Sequence, residues 1–110
     1  MTNNILFIGN NTAFIDWFFK CSNKYKVDYL ATSSEAISYL ESNLCRLIIL
    51  VVEENFLQEV NAIENIKSDD DFKDIPVILI DKSPFFIPNN IKLAFQSGIT
   101  EYIHGSFELI

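Results

Sequence analysis

Histidine, cysteine, glycine and proline are all scarce in this chain of 110 residues, which holds one, two, three and three of them. The single histidine, His104, has no second histidine with which to make a metal pair, and it reads as a partly exposed strand residue. Cys21 and Cys45 have neither metal-ligand nor redox spacing, so both are expected to be reduced. The three glycines stand far apart and form no Gly-rich phosphate cradle. The loop Gly9-Asn10-Asn11-Thr12 carries only one, which argues against a nucleotide or flavin binder. Basic residues are few as well: eight lysines and arginines, scattered, in a chain of net charge −7. Nucleic-acid binding needs clustered cations along a backbone-tracking surface, so none is expected. The longest apolar run, Leu47–Val52, is far too short to span a bilayer. The first residues, MTNN, lead straight into the strand-like ILFIG rather than into a charged-then-apolar leader. The expectation is a cytoplasmic protein with no membrane association.

What is abundant is apolar. Hydrophobic residues make up 49% of the chain, with ten phenylalanines and four tyrosines. A domain of this size can therefore form a core without metal or disulfide staples. Short apolar runs alternate with segments of helical period. Strands are expected at Asn4–Ile8, Val27–Ala31, Arg46–Val52, Ile75–Ile80 and Thr100–His104. The run at Arg46–Val52 is too uniformly apolar to face water on either side. Pro76 stands near the start of its strand, where a missing N–H is tolerated. The spacing predicts a helix from Thr12 to about Lys24 with Phe14, Ile15, Phe18 and Phe19 as its apolar stripe. A second opens at Thr32-Ser33-Ser34-Glu35 and carries Ala36, Ile37, Leu40 and Leu44. A third spans Phe56–Lys67, with Phe56, Val60, Ile63 and Ile66 inward. A short fourth runs over Asn90–Ser97 and is closed by Gly98. Strands alternating with helices imply a parallel sheet covered on both faces, with chemistry outside the carboxyl ends of its strands. The positions of interest are therefore Gly9–Asn11, Val51–Asn55, Asp81–Ser83 and His104–Ser106.

Up to about Phe107, the order and spacing of these pieces resemble the receiver domain of two-component response regulators. NILFIGNN is similar to that family's first strand and DIPVILIDKS to its fourth. SGITEYIHGSF is similar to the Gly-x-x-x-Tyr stretch that ends in Lys-Pro-Phe. The resemblance implies an α/β fold: a doubly wound five-stranded parallel sheet in order 2-1-3-4-5, a three-layer sandwich whose fifth helix is here short or absent. One receiver-like domain over residues 1–110 is expected, as the N-terminal fragment of a longer regulator or as a shortened fold. The resemblance also implies an activity, in which an aspartate ending the third strand takes a phosphoryl group from a histidine kinase. That chemistry needs a carboxylate nucleophile, acids that hold Mg²⁺, a lysine for the phosphoryl oxygens and a hydroxyl that senses them.

The implied site residues are largely replaced. The acidic pair falls on Gly9 and Asn10, and the phosphoacceptor falls on Val51. The hydroxyl falls on Asp81, and the Lys-Pro pair on Gly105 and Ser106. Tyr102 alone is kept, at the family's aromatic switch position. Valine cannot form an acyl phosphate, so the expected function is a phosphorylation-independent pseudo-receiver. It would not be an enzyme and would bind no cofactor, signalling instead by contact with a protein partner or output domain. The expected contact face comprises the fourth helix and fifth strand. Phe85, Phe86 and Ile87, in the loop before that helix, are either folded back as core or offered to a partner. Uncovered apolar sheet near the fifth strand makes a homodimer through that face an expected consequence. The alternative is a rewired acidic site in which Glu53, with Glu54 and Asp81, binds a divalent cation such as Mg²⁺ or is still phosphorylated. Its plain counterpart has Glu53 and Glu54 as solvated carboxylates and Asp81 in an exposed turn pair with Lys82.

Overall fold

A computed structural model describes residues 4–9, 26–53, 56–83 and 87–105. The helix expected over 12–24, Cys21, Asn10, Glu54, Phe85, Phe86 and Ser106 lie outside the described residues. In chain order the elements are β1 (Asn4–Ile8), β2 (Lys26–Leu30), a 3₁₀ turn (Ser33–Glu35) running into α1 (Ala36–Ser42), β3 (Leu47–Val52), α2 (Phe56–Lys67), β4 (Val77–Asp81), α3 (Pro88–Ser97) and β5 (Glu101–His104). The α3 helix corresponds to the fourth helix of the receiver-like order. The five strands form one parallel sheet in order β2-β1-β3-β4-β5, the doubly wound order that the resemblance implies.

Side chains alternate across each strand, and in the central strands β1, β3 and β4 both sets are largely apolar. Leu6, Ile8, Ile48, Leu50, Val52, Val77 and Leu79 pack with Ala36, Leu40, Ile63, Ile66 and Ala94, which places all three described helices on one face. Ile5, Phe7, Val27, Ile49, Val51 and Ile80 form a second buried cluster on the other face. At about 1.5–3 kcal/mol for each large side chain removed from water, burial on two faces supplies the main drive for folding. It also explains why LIILVV lacks polar alternation.

Helix boundaries follow local chemistry. The α2 bounds coincide with the apolar period, and Val60, Ile63 and Ile66 are buried on its inner face. Leu44 does not continue α1. The helix ends at Ser42 because Asn43 turns extended (φ −138°, ψ 133°), and the Asn43 amide donates to the Tyr39 carbonyl at 2.9 Å. Leu44 is left 74% exposed rather than packed. Thr32 precedes the 3₁₀ turn but makes no side-chain capping bond; its hydroxyl shares a 2.8 Å hydrogen bond with that of Ser34. α3 starts two residues earlier than the period predicts, because Pro88 occupies its first turn, where no N–H is needed. Among the described residues no helix is long and apolar enough to cross a membrane.

Gly98 closes α3 in the left-handed region (φ 110°), donating its N–H to the carbonyls of Ala94 and Phe95. A Cβ there would stand 2.7 Å from Cγ of Lys67. That lysine stem is itself held, since its ammonium donates to the carbonyl of Lys73 at 3.0 Å and to that of Ile75. Burial pushes the Lys67 pKa down from its ordinary value. The stem ties the end of α2 to the segment before β4 and to the α3–β5 turn. Gly98→Ala combines backbone strain with a clash and is expected to cost about 1–3 kcal/mol in urea unfolding, with Lys67→Ala in the same background recovering part of the loss.

Candidate functional site

The carboxyl ends of β3 and β4 hold most of the residues singled out in the sequence, and the strand register decides which of them meet. Val51 pairs with Ile80 and Val52 with Asp81. Alternation then puts Val51 and Ile80 on the second face, whereas Asp81 follows Val77 and Leu79 toward the helices. Glu53, two residues beyond Val51, returns to Val51's side, and so does Lys82. Their side chains meet there, with the Lys82 ammonium 3.5 Å from Glu53 Oε1. The Lys82 backbone N–H donates to the Val52 carbonyl at 2.7 Å, which fixes the start of that side chain.

Asp81 is therefore not in an exposed turn pair with Lys82. It is the last residue of β4 and has no exposed surface. Its Oδ1 accepts the backbone N–H of Ser83 at 2.9 Å and the Ser83 hydroxyl at 2.6 Å. This side-chain bond to the backbone two residues on turns the chain out of the strand. Its Oδ2 accepts the Tyr102 hydroxyl. Tyr102 lies on β5 opposite Leu79, two residue pairs before Asp81 and so on the same face, and its ring packs against the helix-side core. His104, opposite Asp81, places Nε2 3.1 Å from the Ser83 carbonyl. The Asp81 carbonyl accepts the Gly105 N–H at 3.1 Å. Gly105, to which the resemblance assigns the lysine, carries no side chain, and a Cβ built there would meet nothing within 4 Å.

The position to which the resemblance assigns the phosphoacceptor is filled by packing. Val51 is only 8% exposed. Gly9, on which the resemblance sets one of the acidic pair, has φ 150° and donates its N–H to the Leu30 carbonyl at 2.9 Å. A Cβ on Gly9 would lie 3.0 Å from Val51 Cβ and 3.3 Å from the Val51 carbonyl oxygen. The Gly9 backbone thus lies directly against the valine. Among the described residues no three His, Cys, Asp or Glu side chains gather as metal ligands. Glu53 and Asp81 belong to opposite faces of the sheet and do not converge. Ile87, 44% exposed, precedes α3 and is the one described residue of the three apolar loop positions. An open groove of about 530 Å³ between the first turns of α2 and α3 is lined by Phe56, Leu57, Gln58, Asn89, Asn90 and Leu93, none of which titrates.

Sequence reasoning marked Tyr102 and Asp81 separately and missed their union. The Asp-Lys-Ser order held a local signal for the Asp81–Ser83 turn. The tyrosine, 21 residues further on, enters only through the β4–β5 register.

Burial and the bond to Asp81 both push the Tyr102 phenol well above its ordinary value, and burial with the bond to Asp28 does the same for Tyr39. A raised folded-state pKa gives stability that is complete below the unfolded value of about 10 and is lost as pH rises beyond it. Phenolate absorbance should therefore show Tyr39 and Tyr102 ionising above the ordinary tyrosine range. Unfolding free energy should fall above pH ~10, with a shallower slope in Tyr39→Phe and Tyr102→Phe. At neutral pH, Tyr102→Phe strips one donor from a fully buried carboxylate and is expected to cost about 1–3 kcal/mol in urea titration.

No protein-family profile matches the chain, and no curated protein matches it in sequence. Solved structures do match in fold. The phosphorylated cyanobacterial phytochrome response regulator RcpA superposes with a TM-score of 0.80 at 22% identity, over 96% of this chain and 82% of its own. A response regulator from Thermotoga maritima gives 0.76 at 19%, over 98% and 88%. The Mn²⁺-bound form of the response regulator Rcp1 gives 0.79 at 18%, over 97% and 84%. The chain has the receiver fold of these response regulators.

Proposed function

We propose that this chain is a phosphorylation-independent receiver-type module of a two-component signalling system, acting in the cytoplasm through contact with a protein partner or output domain and not as an enzyme. The observation that carries this reading is the packing of Val51 on Gly9. Valine offers no nucleophilic oxygen. A Cβ on the backbone facing it would be crowded and strained, so an acid at position 9 would press on Val51 and require it to shift by a few tenths of an ångström. The two replacements are one steric unit rather than two separate losses.

Among the structural neighbours, one is phosphorylated and another binds Mn²⁺. The side chains here do not fit that chemistry. A hard divalent cation needs several convergent oxygen ligands. Among the described residues the acid seats are Gly9 and Val51, Glu53 faces an ammonium, and both oxygens of Asp81 accept donors on the opposite face. The alternative of a rewired acidic site on Glu53 and Asp81 lacks that convergence. Its two carboxylates are separated by the parity of the strands.

The contact surface in this reading is the α3–β5 region, where Ile87, Phe95 and Ile103 are exposed. Self-association there as a homodimer belongs to the same reading, and direct nucleic-acid binding does not.

Incubation with acetyl phosphate and millimolar Mg²⁺ should add no phosphoryl group in intact-mass spectra, and partner capture should be the same with and without the phosphodonor. Incorporation of phosphate by the unaltered chain would refute the reading. Val51→Asp should remain unlabelled, because a carboxylate alone lacks the acid pair and the lysine. It should also lower the urea midpoint, since its charge would occupy a nearly buried site among Phe7, Ile49 and Ile80.

A further inference from the structure

We infer that Asp81 is a built-in clamp on Tyr102: the buried carboxylate holds the phenol ring against the helix-side core and keeps the α3–β5 surface in one form without any added group. This deepens the phosphate-independent reading and rests on it for its signalling meaning, while the clamp itself rests on geometry.

The carboxylate has no exposed surface, and its three donors among the described residues are all neutral: the Ser83 N–H, the Ser83 hydroxyl and the Tyr102 hydroxyl. Ser83 saturates Oδ1 alone. Tyr102 is the described donor on Oδ2. Swinging the ring out to solvent would leave a buried charged oxygen without that donor, which disfavours the outward ring on the order of ten- to a hundred-fold. An ordinary serine or threonine in this place could accept the phenol but would bring no charge, and charge-assisted bonds are the stronger kind.

The clamp is braced from both strands. β4 delivers Asp81 at its last position, and the Ser83 turn locks the rotamer by two bonds to one oxygen. β5 delivers Tyr102, and His104 reaches back to the Ser83 carbonyl at 3.1 Å. Tyr102 also packs against the cluster that contains Ala94 of α3 and Ile99 of the α3–β5 turn. A fixed ring therefore fixes what it touches. Asp81 acts here as a positioning residue whose effect is read at Tyr102.

The test uses the full chain labelled with 3-fluorotyrosine, with the Tyr102 resonance assigned by its loss in Tyr102→Phe. The ¹⁹F solvent-isotope shift between H₂O and D₂O reports exposure of each ring. In the unaltered protein Tyr102 should show a shift well below that of Tyr29, which is 56% exposed. In Asp81→Ala and in Asp81→Leu, which refills the volume without an acceptor, it should rise toward the Tyr29 value while far-UV circular dichroism stays native. An unchanged shift in a folded variant overturns the clamp. Should both variants unfold, the unaltered protein decides: a Tyr102 hydroxyl proton that is slow to exchange and shows an NOE to its own ring supports the clamp, and a fast-exchanging one overturns it. Phosphate incorporation with Tyr102 still held would defeat the phosphate-independent reading and leave the clamp standing. A free ring without incorporation would defeat the clamp alone.

Discussion

In the register that joins β3 to β4, side-chain alternation sends Val51 and Asp81 to opposite faces of the sheet. A one-residue slip would exchange every neighbour of both strands. Such a slip would carry the Asp81 carboxylate away from its Ser83 and Tyr102 donors and toward the apolar cluster of Val51 and Ile80. The chemistry available at the strand ends follows from this register. Valine meets glycine on one face, aspartate meets tyrosine on the other, and the glutamate and lysine just beyond the strands pair at the edge. With side-chain exposures of 56% for Glu53 and 19% for Lys82, that edge pair contributes under about 1 kcal/mol. It matters as the partner that occupies Glu53, not as a source of stability.

Elements whose signal is local were legible in the sequence. The apolar period of Phe56–Lys67 set both ends of its helix, because one turn after another repeats the same inward face. The uniformly apolar third strand announced a sheet covered on two sides. Where the reading slipped, a single side chain redirected the backbone. Leu44 kept the spacing of the helix before it, yet the extended Asn43 had already ended that helix and used its amide on a free carbonyl. Pro88 extended α3 toward its N-terminus because its fixed φ suits a first turn.

The candidate site was legible by position and not by contact. Val51, Gly9 and Gly105 could be placed at strand ends from the order of elements, since replacements of this kind are visible as residue types. Asp81 was different. A charged residue after an apolar run reads as the start of a loop, because carboxylates are rarely buried without partners. What buries it is a tyrosine on the neighbouring strand and a serine two residues on, and only the serine is near in sequence. The pairing of Glu53 with Lys82 was hidden for the same reason, since it depends on which residue of β4 faces which residue of β3.

The two ends of the sheet's central strands are rigid in complementary ways. On the Val51 side, rigidity comes from close packing, in which a backbone lies so near a valine that one added carbon would force a shift. On the Asp81 side it comes from a saturated polar network, in which each bond is stronger for being out of water and costly to break singly. A surface that must change shape on receiving a ligand needs two arrangements of similar energy. Neither of these devices offers a second arrangement close by. A fold in which core packing and a polar network both select one arrangement holds these strand ends in a single shape.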